Sequence, residues 1–80
     1  MVLGGKQWPL WDMDICKKFG ANVRRIRRAL DISQEELAYR AGIHRTYLSE
    51  LERSGGRNPT LRVMDRLASA LDVTIAGLLE

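Results

Sequence analysis

Between positions 45 and 53, five side chains with hydrogen-bonding heads recur at helical spacing: Arg45, Thr46, Ser49, Glu50 and Arg53. Wound as a helix they share one face, while Leu48 and Leu51 fall on the other. Such a face can do groove chemistry. An arginine donates two parallel N–H bonds to guanine, a glutamate accepts from the cytosine amino group, and a threonine offers its methyl to thymine. Ser49 discriminates least of the set. Turnover is another matter. The chain offers no nucleophile–base pair, no carboxylate dyad and no phosphate loop, so it is not expected to be an enzyme.

A reading helix has to be presented by its neighbours. Upstream, Ser33 is a good N-cap, and Glu35 and Glu36 fill the first turn, where acids favour the helix dipole. Leu37, Ala38 and Ala41 share a face. Gly42 then stands where the helix must stop and the chain must turn sharply, a place that often needs positive φ. The next helix restarts at about His44. Two short helices joined by a tight turn, with the second polar on its outer side, are what groove reading requires. Before them, Ile15, Phe19, Val23, Ile26 and Leu30 recur at three- and four-residue steps and predict a helix over about residues 14–30. After them, Pro59 precedes a fourth helix that Thr60 can cap, with Leu61, Met64, Leu67, Ala68 and Leu71 as its inner stripe. Thr74 can cap a last short helix holding Ile75, Leu78 and Leu79. The fold class expected is all-α with five helices over residues 14–80, preceded by an extended arm over residues 1–13.

Charge sharpens the reading. The net charge is +3. Residues 1–32 hold Lys6, Lys17, Lys18, Arg24, Arg25, Arg27 and Arg28 against Asp12, Asp14 and Asp31, and the remainder is close to neutral. A basic first helix beside a reading helix suits attraction to phosphates. Arg27 and Glu52 stand apart from this. Each falls on the apolar face of its helix, where a charge is tolerated mainly when paired. A salt bridge between the first and third helices is expected. His44 is read as a phosphate contact or turn stabiliser rather than a metal ligand, since no partner His or Cys is near it in sequence. Tyr47 either packs against the second helix or offers its hydroxyl to a phosphate. Arg57 and Asn58 precede the fourth helix, whose free N–H groups favour anions, so they are expected to grip the sugar-phosphate backbone. Arg53 is placed with them, although Arg53 and Arg57 could instead be plain surface charges.

The rest of the composition excludes more than it assigns. Eighty residues make one small domain near the limit of what a single core can support. A single cysteine, Cys16, makes no internal disulfide and no zinc site, so no metal or cofactor is expected and the thiol reads as reduced and intracellular. No apolar run is long enough to span a bilayer, and residues 1–11 show no cleavage pattern. A cytoplasmic protein is expected. Trp8 and Trp11 are expected to fold back onto the body or onto a protein partner; the alternative is a minor-groove arm led by Lys6.

Taken in order, Ser33-Gln34-Glu35-Glu36-Leu37-Ala38, Arg40-Ala41-Gly42-Ile43, Tyr47-Leu48-Ser49 and Leu51-Glu52-Arg53 resemble the Cro/repressor-type, or XRE, helix-turn-helix family. Asn58-Pro59-Thr60-Leu61 and residues 67–73 continue the pattern. Two departures stand out. Asp31 replaces a usual glycine, and the loop over residues 54–57 is one residue longer. The resemblance implies a five-helix, lambda-repressor-like DNA-binding domain with its helix-turn-helix at helices two and three. It implies that Gln34 contacts a phosphate and that Arg45, Thr46 and Glu50 read bases. It also implies that Arg27 and Glu52 pair. It further implies a homodimer through the fifth helix, with Ile75, Leu78 and Leu79 at the interface and double-stranded palindromic DNA as partner. The function expected is a transcriptional regulator, a repressor or controller protein. The alternative is an antitoxin that binds a toxin, with Trp8 and Trp11 as its grip, and regulates its own operon.

Overall fold

Each helix junction is closed by a side-chain cap or a left-handed residue. Ser33, Thr60 and Thr74 sit in extended backbone, and their hydroxyls accept from the N–H groups of Glu36, Val63 and Gly77 at 3.0, 3.1 and 3.0 Å. Each satisfies one orphan donor of the helix it starts. At the other ends Asp31, Gly42 and Asp72 take φ values of 61°, 69° and 60°. The residue after each one donates back to the preceding helix: Ile32 to Arg27, Ile43 to Ala38 and Val73 to Ala68. This is the Schellman closure. Its left-handed residue is glycine once and aspartate twice, so Asp31 meets the need that a glycine would otherwise fill. A short polar side chain tolerates this region better than others do.

The computed structural model describes the backbone of residues 8–54 and 57–80 and the side chains of residues 15–53 and 57–80. The fold is all-α: α1 (Trp8–Ala29), α2 (Gln34–Ala41), α3 (Arg45–Ser54), α4 (Leu61–Leu71) and α5 (Ile75–Leu79). No helix among the described residues is long and apolar enough to cross a membrane. The extended arm expected over residues 1–13 is helical from Trp8 onward. Pro9 does not prevent this, because a proline in the first turn forfeits no helical hydrogen bond. Residues 1–7 lie outside the described residues, and so do the side chains of Trp8 and Trp11.

α1 runs across the bundle against α3 and α5, while α2 packs on α3 and α4. Phe19, Val23, Leu37, Leu48, Leu51, Leu67 and Leu78 are fully buried, with Ala38, Ala41, Ala68 and Leu71 filling between them. Ile15, Leu30 and Leu61, expected on inner stripes, are exposed instead. They stand at the ends of their stripes, Leu30 just beyond the last residue of α1 and Leu61 at the first residue of α4. Leu78 corrects a second expectation. It belongs to the core of its own chain and offers nothing to a partner, because the short α5 turns it inward against α1. Ile75 is half-buried against the same core and Leu79 is exposed.

Candidate nucleic-acid interface

α3 is held against α1 by a close crossing and a buried ion pair. At the crossing stands Gly20, where a Cβ would overlap the Leu51 carbonyl oxygen. Sequence reasoning passed over Gly20, since a lone glycine in a helical run carries no signal of what approaches it. Two turns further along α1, Arg27 makes a forked contact with Glu52: Nε donates to Oε2 at 2.8 Å and Nη2 to Oε1 at 3.0 Å. The third arginine nitrogen donates to the Ile32 carbonyl at 2.8 Å. Gln34 Nε2 donates to Glu52 Oε1 at 3.0 Å. Four groups from α1, the α1–α2 turn, α2 and α3 thus share one carboxylate and one guanidinium. No buried side-chain nitrogen or oxygen among the described residues is left without a partner. The arrangement fixes the tilt of α3 and the start of α2 together. Gln34 keeps one amide hydrogen and its oxygen for an outside partner.

With α3 so held, its outer side carries Arg45, Thr46 and Arg53 exposed and Ser49 and Glu50 half-exposed. His44 serves the helix start. Its Nδ1 accepts from the Thr46 N–H at 3.1 Å, in the place a capping serine would fill. Tyr47 and Glu50, three residues apart, emerge side by side. Arg57 lies across both. Its Nε donates to Glu50 Oε1 at 2.6 Å, and its guanidinium stands 5.2 Å from the centre of the Tyr47 ring. A cation over a half-buried ring at the surface contributes on the order of 0.5–1 kcal/mol. Burial pushes the Tyr47 hydroxyl above its ordinary pKa. The Arg57 cation opposes that shift, and Cys16 adds to it. The phenol therefore stays a neutral donor. Asn58 is tied to α1, its Oδ1 accepting from Cys16 Sγ at 3.6 Å. Arg57, expected to grip the DNA backbone, is thus engaged within the protein.

Beside this face lies an open depression between α1 and α3, with a volume of about 590 Å³. Lys17, Arg24, Arg25, Arg28 and Arg53 surround it, and the carboxylate on its wall, Glu52, is already committed to Arg27. A smaller hollow continues it to Gln34 and Ser49. The basic depression therefore adjoins the outer side of α3 at Ser49 and Arg53. No group of three metal-binding side chains is present among the described residues.

Helix, left-handed turn and polar second helix are thus one rigid unit, and the family model for "Helix-turn-helix" matches residues 23–78. The chain belongs to the helix-turn-helix family. The unit is α2, Gly42 and α3, with α1 and α4 as its support. Among its relatives, an HTH-type transcriptional regulator of Sinorhizobium fredii, y4dJ, is 47% identical over 62 residues, covering 78% of this chain and 79% of that protein. Control protein C.SmaI of Serratia marcescens is 43% identical over 67 residues, covering 84% and 79%. Two solved structures share the helix-turn-helix architecture. The restriction-modification controller protein C.AhdI of Aeromonas hydrophila superposes with a TM-score of 0.75 at 40% identity, covering 79% of this chain and 94% of that one. A hypothetical transcription factor from Neisseria, NHTF, gives 0.79 at 36% identity, covering 86% and 78%.

Proposed function

We propose that this helix-turn-helix protein is a sequence-specific, double-stranded-DNA-binding transcriptional regulator, a repressor or controller, that works without catalysis alongside its DNA in the cytoplasm. The observation that carries the reading is the outer side of α3. A fixed helix presents Arg45, Thr46, Ser49 and Glu50 to solvent next to a depression rimmed by Lys17, Arg24, Arg25, Arg28 and Arg53. That is base chemistry flanked by phosphate chemistry. The names of the relatives, control proteins and HTH-type regulators, agree with it.

In this reading α3 enters the major groove and its four side chains meet base edges. Gln34, His44, Tyr47, Arg53 and Asn58 stand on the groove wall, where phosphates would set the register. Gln34 offers its remaining amide hydrogen, and Tyr47 its neutral hydroxyl. Two copies related by a two-fold axis would place their α3 helices about one DNA turn apart, roughly 34 Å, on a palindromic operator. Selection of binding sites from random duplex DNA, followed by footprinting, tests the reading. It expects an enriched palindrome protected at two half-sites. A chain that enriches no sequence overturns it.

A further inference from the structure

Glu50 is an anion on a face that would approach a polyanion, and the side chain that makes this workable is Arg57. The guanidinium bridges the neighbouring Tyr47 ring and Glu50 Oε1, at 5.2 and 2.6 Å. The loop that carries it is tied on its far side by the Cys16–Asn58 contact. Both members of the pair are substantially exposed, and ion pairs of this kind contribute little to folding. The consequence of the contact is orientation. Oε1 is occupied, and Oε2 has no partner among the described residues. The carboxylate charge is also offset, so the side chain can come close to phosphates. The oxygen left over accepts and cannot donate. In the major groove it suits the cytosine amino group and is repelled by the acceptors of guanine and the O4 of thymine.

We propose that Arg57 is a specificity-positioning residue acting through Glu50. By holding Oε1 and neutralising the carboxylate, it aims Oε2 at the cytosine amino group of one base pair in each half-site. Arg57 then sets the preference for that base instead of gripping phosphate. The inference rests on α3 being the reading helix.

The test is binding of the full chain and its variants to a panel of duplexes carrying every single-base change in the selected operator. Glu50→Ala and Arg57→Ala should relax preference at the same single position, each by roughly 5- to 150-fold, the span of one good base contact. The double variant should be no more relaxed than Glu50→Ala alone. Arg57→Lys, which keeps a cation but not the planar fork, should restore part of the preference. If Arg57→Ala weakens every duplex by the same factor and lowers the salt dependence by about one unit, Arg57 holds a phosphate and the proposal falls. It also falls if Glu50→Ala leaves every position unchanged. Arg45→Ala separates this failure from that of the parent reading. If it relaxes a different position while Arg57→Ala relaxes none, α3 still reads DNA and only the role of Arg57 is wrong. If neither Arg45→Ala nor Glu50→Ala shifts any position, the reading face itself is wrong.

Discussion

Arg27 and Glu52 show how a single buried pair can organise an interface it need not touch. Both side chains are almost out of water, and their hydrogen bonds reach α1, α2 and α3. Removing one partner strands a buried charge. Arg27→Ala and Glu52→Ala should each cost about 3–5 kcal/mol of folding stability, while a double change to apolar residues should cost much less than their sum. Urea melts of the cycle decide this, and near-zero single effects would mean that both groups are hydrated. Arg45 makes the opposite case. It is exposed and has no role in the core. Arg45→Ala should leave the melt unchanged and lose about 1–3 kcal/mol of binding at one operator position, relaxing preference there. Uniform weakening across all duplexes would instead make Arg45 a backbone contact.

At the scale of elements, the α1–α3 crossing depends on a missing side chain. An alanine inside a helix normally gains about 1 kcal/mol over glycine. At Gly20 the added methyl meets a backbone oxygen of α3, and backbone yields less readily than the end of a flexible side chain. Gly20→Ala should therefore lose about 1–3 kcal/mol, read as a lower melting temperature. It should also weaken DNA binding, because α3 would be pushed from its seat. A rise in melting temperature would show that the helices separate freely. The turns follow another rule. Asp31 ends α1 with a φ of 61°. Asp31→Gly should change stability by less than about 1 kcal/mol, relief of strain being set against a more flexible unfolded chain. Asp31→Val places a branched side chain in the left-handed region and should cost about 1–3 kcal/mol. Equal midpoints for the two variants in denaturant would contradict the left-handed turn.

For the whole molecule, the question is what covers the apolar groups the monomer leaves out. Leu61 is 72% exposed and Leu79 39% exposed, with Ile75 only half-covered. A two-fold dimer that buries Leu79 and the free side of Ile75, helped by α4, would remove this area from water and space two reading helices on DNA. Sedimentation at micromolar concentrations should find the dimer mass, and Leu79→Glu should shift it to monomer without unfolding the chain, since Leu79 lies outside the core. A wild-type monomer both free and on DNA would end the dimer proposal.

Local rules made most of the architecture legible. The capping hydroxyls of Ser33, Thr60 and Thr74, the turn at Gly42 and the three- and four-residue spacing of Phe19, Val23, Leu37, Leu48, Leu51 and Leu67 are properties of short stretches, and short stretches are what a sequence displays. The expectation of a buried charge pair was legible for the same reason, since Arg27 and Glu52 interrupt apolar faces. Contacts between distant stretches decided the rest. Only the packed bundle turns Leu78 inward, leaves Leu30 and Leu61 in water and brings the Leu51 carbonyl against Gly20. Only the fold sets Arg57 on Tyr47 and Glu50, ten and seven residues earlier in the chain. Periodicity says which residues share a face. Where that face ends, and which neighbour meets it, depends on helix length and crossing, and those are settled when the helices pack.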